Sequence, residues 1–214
     1  MSSLSKFTRD GVRDYEKRRY RGLDQRLVHA RETSLIRKML DLSGVTEGLA
    51  LDLPCGYGRF TPMLRARGFG VVGADLSMEM AGRTKENAAG NGFFQTVAAD
   101  AGRLPFRTGV FSLVLSIRFF HHVHTPEGRA KILGEFSRVT NGFAVVSFYR
   151  ANGLHVFQRR LRRLFGKSRT NIKMLEPGVF EKAAAEAGFE VVRVKPLFRG
   201  LHAYHLALLR KEKF

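Results

Sequence analysis

Leu49-Ala50-Leu51-Asp52-Leu53-Pro54-Cys55-Gly56-Tyr57-Gly58-Arg59-Phe60, followed after a helix-sized segment by Val71-Val72-Gly73-Ala74-Asp75-Leu76-Ser77, decides how the chain is read. An apolar run ends in Asp52, a tight turn follows through Gly56 and Gly58, and a second apolar run ends in Asp75. That order describes a strand, loop, helix and strand, the βαβ unit. Gly56 and Gly58 lack a Cβ, so the backbone can bend sharply and admit a ligand. A carboxylate closing the second strand can accept two ribose hydroxyl hydrogen bonds. The unit reads as a nucleoside-binding device. A dinucleotide fingerprint would need Gly-x-Gly-x-x-Gly, and the run from Gly56 is Gly-Tyr-Gly-Arg-Phe-Thr, with Thr61 in the slot of the third glycine. Glycines serving only a turn remain the bland alternative.

A length of 214 residues suits one domain with a single core. The net charge of +18 is the strongest compositional anomaly and points to an anionic partner: a nucleic acid, an anionic membrane surface or a charged substrate. The lone cysteine, Cys55, excludes an internal disulfide and a cysteine-based zinc cluster, and its place in the glycine loop argues for packing. No His, Asp or Glu set shows metal-ligand spacing, so no metal is expected. No apolar run approaches the roughly 20 residues a spanning helix needs, and the polar N-terminus has no signal-peptide core. The expected location is cytoplasmic, with peripheral contact to the inner face of a membrane as an option.

These residues resemble the class I S-adenosylmethionine-dependent methyltransferases. The first motif of that family reads Asp-x-Gly-x-Gly-x-Gly, and its second strand ends in an acid. Here the motif runs from Asp52 to Gly58, with Pro54 where the family usually has its first glycine. The resemblance implies an α/β fold: a Rossmann-like, doubly wound seven-stranded sheet whose last strand runs antiparallel between the fifth and sixth. It implies S-adenosyl-L-methionine as cofactor. Asp52, Leu53, Pro54, Cys55, Gly56 and Gly58 would line its methionine end, with Arg59 either pairing with the methionine carboxylate or solvated. Asp75, with Leu76 and Ser77, would address the ribose, Asp100 and Ala101 the adenine, and Ser116 the crevice beside them.

Further along, Phe94 to Ala98 reads as the third strand, and Val110 to Ser116 as the fourth. Ser112 replaces an aspartate common in the family. The fourth strand leads into Ser116-Ile117-Arg118-Phe119-Phe120-His121-His122, at the edge of a parallel sheet where ligands sit. The Asn/Asp-Pro-Pro-aromatic motif of amino-methylating nucleic-acid enzymes is absent here, and so is the separate cysteine nucleophile of cytosine C5 enzymes. The His-His pair resembles the ending common among small-molecule, quinone and lipid methyltransferases. His121 or His122 is the candidate general base, since an imidazole titrates near operating pH. The alternative is one ring packed and one solvated.

The remaining periodicity predicts helices over 59–67, 76–89, 127–139 and 177–188, a turn at Asn141-Gly142, and strands over 143–148, 189–194 and 201–209. Tyr149 follows the fifth strand as a rim aromatic or a donor to an acceptor oxygen. Residues 1–48 are expected to form a helical extension, from about Asp10 to Leu42, over the cofactor and acceptor pocket. Tyr15, Arg19 and Tyr20 are the residues to watch there. Residues 49–214 form the methyltransferase domain, with an insert over 151–173. In that insert Leu154, Phe157, Leu161, Leu164 and Phe165 fall on one helical side and Arg159, Arg160, Arg162 and Arg163 on the other, with no acid. Such a helix can dock on the core, lie on an anionic leaflet or clamp phosphates. The expected activity is methylation of oxygen or carbon on a small or lipid-like acceptor. RNA modification is the alternative that charge favours; Pro54 and Ser112 would support a non-catalytic cofactor-binding module.

Overall fold

The computed structural model describes residues 23–87, 92–151, 174–198 and 203–212. Tyr15, Arg19, Tyr20 and the basic segment from Leu154 to Phe165 lie outside the described residues.

Among the described residues the elements in chain order are α1 (Leu23–Ser43), β1 (Gly48–Asp52), α2 (Thr61–Arg65), β2 (Phe69–Asp75), α3 (Met78–Asn87), β3 (Phe94–Ala98), β4 (Phe111–Ser116), α4 (Pro126–Val139), β5 (Thr140–Tyr149), α5 (Val179–Glu186), β6 (Phe189–Pro196) and β7 (Tyr204–Lys211), with a 3-10 turn over Phe120–His122. The strands form one sheet in the order β3-β2-β1-β4-β5-β7-β6. Neighbours from β3 to β5 are parallel, and β7 runs antiparallel to both β5 and β6, as the resemblance implied. Asp52 stands opposite Gly73 on one side and Leu115 on the other, and Asp75 opposite Ala98, so these strands end together at one edge. Between β1 and β4 the strand order reverses, and this switch point is where an open α/β sheet leaves a ligand crevice.

Both faces are covered, which is why the strands read as near-continuous apolar runs. Alternate residues of β4 enter opposite cores. Val114 packs with Leu133 and Phe136 of α4 and Phe180 of α5; Leu113 and Leu115 pack with Leu35, Ile36 and Met39 of α1. Phe148 stacks on Phe180 with ring centroids 4.0 Å apart. The α4 helix starts where Thr125 caps it, its hydroxyl accepting the Gly128 N–H at 3.1 Å, and Pro126 follows in the first turn.

Several boundaries differ from the sequence expectation. The helix expected over 59–67 spans only Thr61–Arg65, because Arg59 and Phe60 still belong to the loop and the chain turns at Gly68 with φ +96°. Asn141-Gly142 is not a turn; it lies inside β5. A Cβ on Gly142 would sit 2.3 Å from the Ser112 carbonyl oxygen, so the glycine serves close strand approach beside a register shift in β4. β6 extends to Pro196, and β7 runs from Tyr204 to Lys211 where 201–209 was expected.

Candidate functional site

The loop leaving β1 spends its amides inside the protein. Leu53 N–H donates to Leu115 O (2.9 Å), Cys55 N–H to Ala74 O (2.8 Å) and Gly58 N–H to Cys55 O (2.9 Å). The Leu53-Pro54 peptide is cis. Gly56 N–H donates to Asp75 Oδ2 at 3.0 Å. Positive φ at Gly56 (+58°) and Gly58 (+82°) makes the turn, and the two glycines differ in surroundings. Off Gly56 lies open space, whereas a Cβ on Gly58 would meet Thr84 Cγ2 at 2.9 Å. Thr84 Oγ1 braces the loop from α3, within hydrogen-bond distance of Gly56 O (2.8 Å), Met80 O (3.1 Å) and Cys55 Sγ (3.2 Å). Cys55 is buried, and burial first, then the Asp52 charge, pushes its thiol far up, so it packs as a neutral group.

The three acids sit in different environments. Asp52 is 2% exposed, and burial pushes its carboxyl up to about 7 against the pull of a hydrogen bond from Thr61 Oγ1 (3.3 Å) and the Arg59 charge. Asp75 is half-buried at the end of β2, and its two oxygens accept the Gly56 and Ser77 N–H groups, each at 3.0 Å. Burial raises its pKa, and those amide bonds act against the rise. Ser77 also caps α3, its hydroxyl accepting the Met80 N–H at 3.3 Å, while Leu76 stands 79% exposed at the rim. Asp100 is exposed and turns on itself, Oδ1 accepting the Gly102 N–H at 2.8 Å; Ala101 beside it is buried.

This geometry fits an adenosyl cofactor. The Gly56, Ser77 and Leu76 amides occupy three of the roughly four acceptor positions of the Asp75 carboxylate, which leaves one for a ribose hydroxyl. The space off Gly56 admits a ligand against the loop, and Ser116 Oγ, fully buried at the end of β4, has no hydrogen-bond partner. Asp52, Leu53, Pro54, Cys55, Gly56 and Gly58 thus form the loop at the switch point, with Asp75 and Ser116 ending the strands on either side of it.

On the acceptor side, Arg118 takes φ +58°, a conformation that costs a residue with a Cβ about 1–2 kcal/mol. Its N–H donates to Ser147 Oγ at 2.6 Å. The chain then turns through Phe120–His122. The half-buried His121 ring lies 4.0 Å from that of the exposed His122 and 5.1 Å, edge to face, from Tyr149. Tyr149 in turn meets Tyr204 of β7 at 5.2 Å.

Sequence reasoning missed Glu32. This carboxylate on α1 is 0% exposed and receives Arg59 Nη2, the Tyr204 hydroxyl and Arg118 Nε, the last at 3.0 Å. Burial alone would raise its pKa; Arg59 and Arg118 overcome that and hold it below the ordinary carboxylate range. Arg59 is thus neither solvated nor simply aimed at a ligand: it is ion-paired to α1, with its guanidinium 4.2 Å above the Phe60 ring. The legible signal was an acid at 32 with Leu35, Ile36 and Met39 at helical spacing on the same face. Ser112 lies far from this edge, its hydroxyl within 3.1 Å of Glu47 O and Leu49 O where β1 begins, so the departure it represents is a stitch between strands.

Residues 51–146 match the family model described as a methyltransferase domain. An uncharacterized methyltransferase of Synechocystis sp. is 37% identical over 103 residues, covering 47% of each chain. A tRNA (carboxymethyluridine(34)-5-O)-methyltransferase of Xenopus tropicalis is 30% identical over 91 residues, 42% of this chain and 13% of that protein. The chain thus spans less than half the length of either relative. Among solved structures, magnesium protoporphyrin IX methyltransferase from Synechocystis with bound SAH superposes with a TM-score of 0.80 at 17% identity, covering 97% of both chains. Residues 51–146 thus match a methyltransferase domain, and the chain shares its fold with magnesium protoporphyrin IX methyltransferase structures that hold SAH or SAM. No helix among the described residues is long and apolar enough to cross a membrane.

Proposed function

We propose that the protein transfers the methyl group of S-adenosylmethionine to oxygen or carbon of a small or lipid-like acceptor. The observation that carries the cofactor half of this reading is the Asp75 carboxylate, tied to Gly56 and Ser77 at the mouth of the switch-point crevice. When bound, S-adenosylmethionine supplies a methyl carbon already made electrophilic by its sulfonium. Asp75 grips the ribose, Asp52 and the glycine loop orient the methionine end, and Asp100 with Ala101 faces the adenine. Ser116 and the His121-Tyr149 pair border the acceptor, which they hold in line with the methyl carbon. Orientation of this kind supplies about 7–11 kcal/mol of a barrier. His121 or His122 takes the acceptor proton. The aromatic character of this border, together with the missing nucleic-acid motifs, supports a small or lipid-like acceptor. The protein works in the cytoplasm, where the basic insert favours contact with an anionic membrane face.

A second reading, RNA methylation, is favoured by the net charge of +18 and by the tRNA methyltransferase among the relatives. A non-catalytic module keeps only Pro54 in its support, since Ser112 serves the sheet. Incubation of the protein with methyl-labelled S-adenosylmethionine and a cell extract separates these readings. Label in the small-molecule or lipid fraction supports the proposal, label in RNA supports the second reading, and no label despite cofactor binding supports the third. RNA binding that falls steeply with salt and exceeds binding to anionic vesicles would also reverse the order.

A further inference from the structure

We infer that the outer edge of β3 pairs with the same edge of a second copy of this chain, giving a two-fold dimer whose sheet runs unbroken through both copies. The sheet has two edges, β3 and β6, and they are built differently. β6 carries Glu190, Arg193, Lys195 and Pro196, with a register shift between Val191 and Arg193 where it meets β7. Charges, proline and an irregular register keep an edge strand from pairing with another chain. β3, which reads Phe94-Gln95-Thr96-Val97-Ala98, carries none of these, and its register with β2 is continuous. The charge-free run extends from Gly92 to Ala99. None of the five β3 residues is buried, and Phe93 just before them is 49% exposed. Every other described strand holds at least one buried residue.

The hydrogen bonds to β2 show which backbone groups of β3 are left over. Phe93 O accepts the Val71 N–H, and Ala99 N–H donates to Asp75 O, each at 2.9 Å. Successive residues of a strand turn their amide groups to opposite sides. Phe93, Gln95, Val97 and Ala99 therefore address β2, while Phe94, Thr96 and Ala98 aim their N–H and C=O groups outward. This outward set is self-complementary. In an antiparallel pair with the two-fold axis at Thr96, Thr96 faces Thr96 of the second copy and Phe94 faces Ala98, large against small. Each such pair exchanges both N–H···O bonds, and a second copy supplies the matching set by symmetry. The same register sets Asp100 opposite Gly92 of the second copy, and the Gly92 carbonyl receives the Arg65 guanidinium at 3.0 Å. An acid at one end of the edge thus meets a cation at the other, and the axis repeats the match. Charges more than about 8 Å apart are largely screened at physiological ionic strength, which limits the repulsion between two chains of net charge +18.

Sedimentation equilibrium of the full chain at about 0.15 M salt tests this. The expected wild-type mass is that of two chains, with a dissociation constant of about 10 μM or lower. Thr96→Pro removes an outward N–H and spares the ladder to β2, since proline is tolerated where the amide faces away from the sheet. It should weaken association by about 30-fold or more while far-UV circular dichroism stays that of the wild type. Should Thr96→Pro not fold, Gln95→Lys puts like charges diagonally across the axis from an exposed position and should weaken association by about fivefold or more. A wild-type chain that stays monomeric up to about 200 μM overturns the inference and leaves the edge to a strand of another protein. A dimer that the folded variants leave unmoved puts the interface elsewhere and overturns it as well.

Discussion

Asp75 Oδ2 accepts the Gly56 N–H at 3.0 Å, so the last residue of β2 closes the turn by which the chain leaves β1. Its other oxygen does the same for Ser77 at the start of α3. Asp75→Asn puts an NH2 group opposite one of these amide donors. Urea unfolding should show a loss of about 1–3 kcal/mol, the cost of leaving a partly buried donor without its acceptor.

Gly58 has no room for a side chain. A Cβ there would meet Thr84 Cγ2 at 2.9 Å and Thr84 Cα at 3.2 Å, at a φ of +82° that L residues avoid. Gly58→Ala should lower stability by about 1–3 kcal/mol. Adding Thr84→Ser removes the methyl but not the backbone contact or the φ, and should restore only part of the loss in a thermal melt.

Asp52 gives the stability a pH dependence opposite to that of an ion-paired acid. Its folded-state value, pushed up to about 7, lies above the unfolded value of about 3.9. Its contribution is therefore fully present below that unfolded value and is lost as pH rises through about 7. Asp52→Asn should gain on wild type by on the order of 2–4 kcal/mol between pH 4 and pH 8, measured as the difference between their unfolding free energies. Glu32, held low by Arg59 and Arg118, pulls the other way in both proteins, losing its contribution as pH falls, and so cancels in that difference.

His121 packs against His122 and Tyr149. His121→Ala should keep S-adenosylhomocysteine affinity within about twofold while methyl transfer falls by about 10²–10⁴-fold, the size of a lost general base. Unchanged transfer, followed by release of labelled methyl, would leave the ring a packing role.

How far the site was legible depended on how local its signals are. Asp52, Gly56, Gly58 and Asp75 lie within one βαβ unit, where strand, turn and strand follow directly in the sequence, so their placement at one sheet edge was readable. Glu32 and Tyr204 are 172 positions apart and meet only because β7 inserts beside β5, under α1. No local pattern carries that meeting. Arg118 was equally hidden: its left-handed backbone is held by Ser147 and Glu32, partners from β5 and α1, where a turn signal would have required glycine or asparagine. Asn141-Gly142 misled for the converse reason. The dipeptide has the composition of a turn, but the close approach of Gly142 to Ser112 keeps it in the sheet.

The central claim is that the Asp75 carboxylate holds an adenosyl ribose. Titration calorimetry of S-adenosylhomocysteine into the wild-type protein and Asp75→Ala tests it most directly. Saturable one-to-one binding to the wild type is expected, with a loss of about 30-fold or more in the variant, the worth of hydrogen bonds to a charged acceptor. Equal affinity in both proteins, or no heat from the wild type, would contradict it.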